Sequence, residues 1–254
     1  MAVIGCQGGN GKVREVGVAM VRRQVPWLTL AVAVMTAAGF TAQLTVDGYL
    51  EAMRRDPTGL HWSQPWRVLS PLLVQSDGWI QAVFNVLTLV LAGIVVETRF
   101  GRWRWLVLYL SAGIVGQLLG YVWEPPGGGN SVAVSGLVGG LMAAMMLGTS
   151  IGEGGLPRPV LLLAPYYPVA LLGLDVADGT GQIVGLVATS IVVVTLLAAG
   201  RRGPSTVAGW VPVTLAWLMV AEAVALLAYR DHHGAALLTG FGVGLAILRA
   251  RVRS

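Results

Sequence analysis

The sequence predicts an all-α polytopic membrane protein with about eight transmembrane spans. Hydrophobic residues make up 55% of the 254 residues and charged residues only 11%, compared with about 25% charged residues in ordinary soluble domains. Mean hydropathy is +0.72, and apolar runs of a length suited to crossing a bilayer recur along the whole chain. The spans are predicted to be helices, because lipid offers no partner for open backbone groups.

The predicted transmembrane domain covers residues 25–250 and lies between two short basic tails, residues 1–24 and 251–254. No cleavable signal peptide is expected, since the first tail has no apolar core. The chain has 17 basic and 12 acidic residues. We interpret this charge as topology rather than nucleic-acid binding, because the basic residues cluster between the spans. The single cysteine excludes an intramolecular disulfide.

The apolar runs divide the chain in order. The first is followed by a long amphipathic loop, to about residue 78, that we expect to lie in the membrane interface. The fifth run is short and interrupted by Pro165 and Pro168, so it is either a span or a re-entrant segment. The eight predicted spans are at about 25–44, 79–96, 103–123, 130–149, 159–174, 183–199, 207–229 and 232–248.

The distribution of basic residues predicts that both termini are cytoplasmic. The predicted outer loops at 124–130 and 175–182 carry acidic residues and no basic residue, as the positive-inside rule requires. The long loop is an exception, because it carries three arginines. We therefore expect a multi-pass protein of the cell membrane in which Ser135 and either His232 or His233 lie at comparable depth near the outer side.

Four polar side chains in the spans could carry chemistry together. A serine hydroxyl needs a base to become a nucleophile, and His233, with an ordinary imidazole pKa of about 6.5, could supply one to Ser135. Gln81 and Asn85 are four positions apart and therefore share a helix face. Their amides could donate hydrogen bonds to an oxyanion.

Two pairs of glycines favour close contact between the serine helix and the histidine helix. Gly136 and Gly140 form one small-residue pair, and Gly240 and Gly244 form the other. Such faces allow the backbones of membrane helices to touch. A hydrogen bond between a serine and a histidine on different helices would require that contact.

Several ordered motifs resemble those of rhomboid intramembrane serine proteases. Trp66-Arg67 resembles the Trp-Arg pair of that family's first outer loop, and Ala133-Val134-Ser135-Gly136 resembles its Gly-x-Ser-Gly nucleophile motif. The segment from His233 to Gly240 resembles the family's His-x-Gly-Gly-x-x-x-Gly. The second and third spans resemble their counterparts in the family at Trp79–Leu87, Gly93, Glu97, Gly101–Arg104 and Tyr109. The similarity covers about residues 60–145 and 230–250.

The resemblance implies a six-helix rhomboid-like core with about two additional helices between the serine and histidine spans. It implies a nucleophile at Ser135, a general base at His233 and oxyanion donors at Asn85 and Gln81. The implied activity is cleavage of transmembrane segments in membrane-protein substrates, within the lipid bilayer and where small or helix-breaking residues loosen the helix. No metal or organic cofactor is implied.

The sequence departs from the family pattern at Gln81, Ala133, Gly139, Ala235 and Ala236. Gln81 replaces a histidine, although its amide can still donate a hydrogen bond. Two other hypotheses therefore remain open. One is a catalytically inactive rhomboid-like protein that binds transmembrane segments. The other is a small transporter, which Glu222 within an apolar run would favour.

Overall fold

The computed structural model describes residues 25–56, 58–123, 126–148, 164–176, 180–202 and 205–252. These residues form helices and turns without a β-sheet, apart from one isolated bridge between Arg55 and Gly127. The α-helices of the described residues are α1 (Trp27–Thr45), α2 (Tyr49–Met53), α3 (Trp79–Phe100), α4 (Arg102–Trp123), α5 (Ser131–Met146), α6 (Tyr166–Val176), α7 (Thr180–Arg202), α8 (Ser205–Ala228) and α9 (His232–Val252). Two short 3-10 helices, Pro65–Val68 and Ser70–Leu73, lie between α2 and α3.

Five of the described helices are long and apolar enough to cross a membrane. They are α1, α3, α4, residues Trp210–Ala228 of α8 and residues His232–Ala250 of α9. The prediction of an all-helical polytopic membrane protein is therefore confirmed at this level, while the number of eight spans stays a prediction. The predicted tail at residues 1–24 lies outside the described residues, and α9 continues past the predicted boundary to Val252.

Helix α6 occupies the later part of the fifth predicted run. It begins at Tyr166, directly after Pro165, and includes Pro168. A proline in the first turn is tolerated, because the amide it lacks would have no partner within the helix. Residues 159–163 of the run lie outside the part of the chain that the structure describes. The first turn of α6 places Tyr167 in the core, where it is 4% exposed.

Helix α5 lies at the centre of the bundle. All of its residues from Ser131 to Met145 are buried, and it packs against α3, α4, α8 and α9. Small residues allow this crowding. A Cβ atom added to Gly136 would lie 2.5 Å from the Cβ of Ala112 in α4, well inside van der Waals contact. The short α5 is therefore surrounded by protein.

The predicted close contact between the serine and histidine helices is confirmed. A Cβ atom added to Gly240 of α9 would lie 2.6 Å from the Cα of Gly136, and one added to Gly244 would lie 3.0 Å from the Cα of Gly140. Since both contacts advance in the same direction along the chain, α5 and α9 run parallel. Their N-terminal ends consequently lie side by side.

Helix α1 is joined to the bundle by the carboxylate of Glu97 in α3. Its two oxygens accept hydrogen bonds from the backbone amides of Leu28 (3.0 Å) and Thr29 (2.7 Å), and one also accepts from the Thr29 hydroxyl at 2.9 Å. Arg102 lies 3.5 Å from the same carboxylate. A negative charge is stabilising at a helix N-terminus. Glu97 therefore caps the first turn of another helix.

The loop between α1 and α3 folds against the end of α4. The Arg67 guanidinium donates hydrogen bonds to the carbonyl oxygens of Glu51 (2.9 Å) and Arg54 (2.8 Å). The Tyr121 hydroxyl of α4 donates to the Arg67 carbonyl at 3.1 Å. Buried Arg55 donates to Gln117 of α4 at 2.7 Å. Two of the three arginines in this loop, Arg55 and Arg67, thus make structural contacts.

Candidate active site

The imidazole of His233 contacts the hydroxyl of Ser131. His233 is the second residue of α9 and Ser131 is the first residue of α5, so the parallel packing of the two helices brings them together. Nε2 of His233 lies 2.8 Å from Oγ of Ser131. A hydrogen bond of this length between an imidazole nitrogen and a serine hydroxyl can transfer the hydroxyl proton to the ring.

The other nitrogen of the His233 ring contacts the carboxylate of Asp231. Nδ1 lies 2.6 Å from Oδ1 of Asp231, and the same oxygen accepts a hydrogen bond from the backbone amide of His233 at 2.7 Å. Asp231 directly precedes α9 and caps it. An ionised carboxylate can accept hydrogen bonds but cannot donate them. This arrangement therefore places the ring proton on Nδ1 and leaves Nε2 as the acceptor for Ser131.

Ser135 lies one helical turn beyond Ser131 and has other partners. Its side chain is fully buried. Its Oγ lies 3.0 Å from the carbonyl oxygen of Ser131 and 3.1 Å from the hydroxyl of Tyr167, which itself donates to the Ser131 carbonyl at 2.8 Å. The structure therefore pairs His233 with Ser131 and Ser135 with Tyr167. The assignment of Ser135 as nucleophile stays a prediction.

The two predicted oxyanion donors differ in their surroundings. A Cβ atom added to Gly129 would lie 2.8 Å from Nε2 of Gln81 and 3.4 Å from Oγ of Ser131, so both polar groups flank this glycine. The Asn85 side chain is buried, and its amide donates to Oε1 of Gln75 at 2.7 Å. Gln81 thus shares Gly129 as a neighbour with Ser131, whereas the Asn85 amide donates to a neighbouring glutamine.

Gln75 connects Asn85 to the start of α5. Its side-chain nitrogen donates to Oδ1 of Asn130 at 3.2 Å, and Asn130 directly precedes Ser131. Gln75 and Gln43 also exchange hydrogen bonds between side chain and backbone at 2.9 Å. This buried polar network fixes the position of the loop that leads into Ser131.

Asp231, His232 and His233 are the described residues whose donor atoms come within 4.8 Å of one another and could hold a metal ion. They are consecutive, and both Asp231 and His233 already make short hydrogen bonds. A metal there would compete with the contact between His233 and Ser131. The arrangement is better suited to proton transfer than to metal binding.

A family model for the Rhomboid domain matches residues 63–199, which is more than half of the 254 residues. The chain belongs to the Rhomboid family. The match includes Gln81, Asn85, Ser131 and Ser135 and ends before His233.

Two Rhomboid relatives from Bacillus subtilis (strain 168) are similar to the chain. The rhomboid protease GluP is 29% identical over 179 residues, which cover 66% of this chain and 32% of that protein. The putative rhomboid protease YdcA is 34% identical over 60 residues, which cover 24% of this chain and 30% of that protein. The alignments thus span about a third of each relative's length.

Three residues of this site in the Rhomboid-family chain were not predicted from the sequence. For Ser131 a signal exists, because Gly129-Asn130-Ser131 supplies the Gly-x-Ser spacing that is lost when Ala133 occupies the glycine position. Asp231 lies at a position typical of a helix cap. For Tyr167, the sequence of the short α6 offers no signal.

Glu222, on which the transporter hypothesis depends, is buried in α8 and makes a side-chain hydrogen bond with Thr189 of α7. Its Oε2 has no hydrogen-bond partner among the described residues. Neither the contacts of Glu222 nor membership of the Rhomboid family assigns it a part in transport.

Proposed function

We propose that the protein is an intramembrane serine endopeptidase in which His233 is the general base and Ser131 the nucleophile. The observation that carries this proposal is the 2.8 Å contact between His233 Nε2 and Ser131 Oγ. Its substrates are transmembrane segments of other membrane proteins, in regions where small or helix-breaking residues weaken the helix. Relatives named as rhomboid proteases support the reaction class.

In the first step, Ser131 Oγ attacks the carbonyl carbon of the scissile peptide bond while its proton passes to Nε2 of His233. The tetrahedral intermediate collapses, the carbon–nitrogen bond breaks, and His233 gives the proton to the departing amine. Water then attacks the acyl ester while His233 takes a proton from it. The ester bond to Ser131 breaks, and His233 returns that proton to Ser131 Oγ. The products are a new carboxyl end and a new amino end.

The negative charge on the intermediate needs hydrogen-bond donors. Backbone amides in the first turn of a helix have no partner within that helix, and Ser131 begins α5. The Gln81 amide, which also lies near Gly129, is the side-chain donor that we propose. Asn85 supports this region through Gln75 and Asn130, and becomes a direct donor if its hydrogen bond with Gln75 breaks when substrate binds.

A fluorophosphonate probe tests the proposal, because it reacts covalently with activated serines. We expect labelling of the purified protein in detergent, with the modified peptide carrying the probe on Ser131. His233→Ala should abolish labelling. A probe on Ser135 would instead support the nucleophile predicted from the Ser135-Gly136 motif. Cleavage of a single-span substrate in proteoliposomes, compared between wild type and Ser131→Ala, tests the reaction itself.

The second candidate function is binding of transmembrane segments without cleavage. Ser135, which keeps the family's Ser-Gly pair, is fully buried and hydrogen-bonded to Tyr167. This burial favours binding without cleavage. If this function is correct, neither Ser131 nor Ser135 reacts with the probe, and the single-span segment copurifies intact with the wild-type protein.

A further inference from the structure

The position of Asp231 is fixed by the tight turn between α8 and α9. Arg230 adopts a left-handed backbone conformation with φ of 62°, and the amide of Asp231 donates to the carbonyl of Leu226 at 3.0 Å. Just beyond the turn, a Cβ atom added to Gly234 would lie 2.6 Å from the carbonyl oxygen of Ala223. The two helices are therefore in backbone contact where Asp231 lies, which leaves its carboxylate little freedom.

The Asp231 carboxylate is ionised although its side chain is only 7% exposed. Burial on its own raises the pKa of this carboxyl, but the charge of His233 and the hydrogen bonds from its ring and backbone outweigh burial and hold the pKa below its usual range. Nδ1 of His232 also lies 3.7 Å from Oδ1 of Asp231. The His233 ring thus lies against a buried negative charge.

We propose that Asp231 is a positioning residue of the active site, whose carboxylate orients the His233 ring so that Nδ1 carries the proton and Nε2 faces Ser131. This inference rests on the proposed function, and it extends a serine–histidine pair to the three-residue array Ser131–His233–Asp231. The carboxylate also stabilises the positive charge that the ring acquires after it takes the serine proton. Asp231 itself stays unprotonated through the cycle.

A helix cap alone does not account for the contacts of Asp231. Capping requires only that Oδ1 accept the backbone amide of His233. The additional contact with Nδ1, at 2.6 Å, is shorter than an ordinary nitrogen–oxygen hydrogen bond and slightly shorter than the range of about 2.7–2.9 Å typical of charge-assisted ones. The same oxygen therefore fixes both the start of α9 and the orientation of the ring.

Nitrogen-15 NMR of histidine-labelled protein in detergent tests this role without requiring activity. With signals assigned by His233→Gln, we expect the neutral His233 ring to carry its proton on Nδ1, with that proton strongly shifted downfield. Ser131→Ala and the control Asp47→Asn, which removes an exposed loop carboxylate, should retain the signal. In Asp231→Asn, which can still cap the helix, the proton should move upfield. A wild-type ring protonated on Nε2, or an unchanged signal in Asp231→Asn, would overturn the proposal.

Cleavage kinetics provide the second measurement. We expect Asp231→Asn to lower kcat by about 10²-fold or more with little change in KM, and Asp231→Glu to recover part of the loss. A kcat for Asp231→Asn equal to that of wild type would overturn the positioning role. If the wild-type protein neither cleaves nor reacts with fluorophosphonate, the proposed function fails, and the NMR result still decides whether Asp231 orients the ring.

Discussion

Ser135 Oγ lies 3.0 Å from the carbonyl oxygen of Ser131, so the two candidate serines are joined within one turn of α5. The Ser131 hydroxyl contacts His233, and the Ser135 hydroxyl donates a hydrogen bond to the Ser131 backbone. We expect Ser131→Ala to lower the cleavage rate by at least about 10³-fold. Ser135→Ala should lower stability by about 1 kcal/mol and retain cleavage. Proteoliposome assays and thermal unfolding measure both effects, and loss of cleavage in Ser135→Ala with a normal unfolding temperature would contradict the assignment.

The Tyr167 hydroxyl should matter more than its ring contacts for the geometry at Ser131. Tyr167→Phe keeps the ring stacked on Phe84, at 5.6 Å between centroids, and removes the hydrogen bond to the Ser131 carbonyl. We expect a loss of about 1 kcal/mol in stability and a lower rate of fluorophosphonate labelling. Tyr166→Phe, which removes a hydroxyl bonded to Ser190, is the matched control. Equal effects of the two changes on labelling would argue against a specific role for Tyr167.

The glycine contact between α5 and α9 should control the distance from Ser131 to His233. Gly240→Ala inserts a methyl group where the backbone of Gly136 lies, and we expect a cost of about 1–3 kcal/mol together with reduced labelling of the serine. Gly242→Ala on the same helix is the control, because a Cβ atom there meets nothing within 4 Å. A Gly240→Ala protein that labels and unfolds like Gly242→Ala would show that the contact is not required.

Acidification should weaken the start of α9. The pKa of Asp231 is lower in the folded protein than its ordinary value of about 3.9, so its carboxylate contributes stability above that value and loses the contribution as pH falls through the folded pKa. We expect the difference in unfolding temperature between wild type and Asp231→Asn to be present above about pH 4 and to shrink below it. A difference that does not vary with pH would contradict this expectation.

Glu97→Gln should destabilise the attachment of α1. The amide that replaces the carboxylate cannot accept hydrogen bonds at both positions, and it carries no charge to complement the first turn of the helix. We expect a cost of about 1–3 kcal/mol, in the range of hydrogen bonds to charged groups. Glu51→Gln removes an exposed carboxylate from α2 and is the control. Limited proteolysis near residue 27 and thermal unfolding measure the effect, and identical behaviour of the two variants would contradict it.

Hydropathy and small-residue spacing were sufficient to predict the helical membrane fold and the contact between α5 and α9. Both properties belong to single helices, and the Gly136 and Gly240 faces could be identified without any knowledge of the loops. His233 was predicted as the general base from its place at the start of an apolar run and from the resemblance of residues 233–240 to a family motif.

The pairing of His233 with Ser131 could not be predicted in that way. Ser131 and Ser135 are one turn apart. The choice between them depends on the residue at which α5 begins and on the position of α9 along the axis of α5. The Gln75–Asn130 network and the turn at Arg230 determine these positions. The Gln75–Asn130 hydrogen bond joins residues 55 positions apart, and the turn depends on the left-handed conformation of Arg230. Periodicity within a single helix encodes neither.

The cap that Glu97 provides for α1 also has a consequence for biosynthesis. The carboxylate is 69 positions along the chain from one of the amides it binds, so the first helix leaves the ribosome well before its cap has been translated. Until α3 is complete, the first turn of α1 must satisfy its amides with water or lipid headgroups. Helix α3 therefore supplies the cap of α1, and α1 reaches its final attachment only after α3 has been inserted.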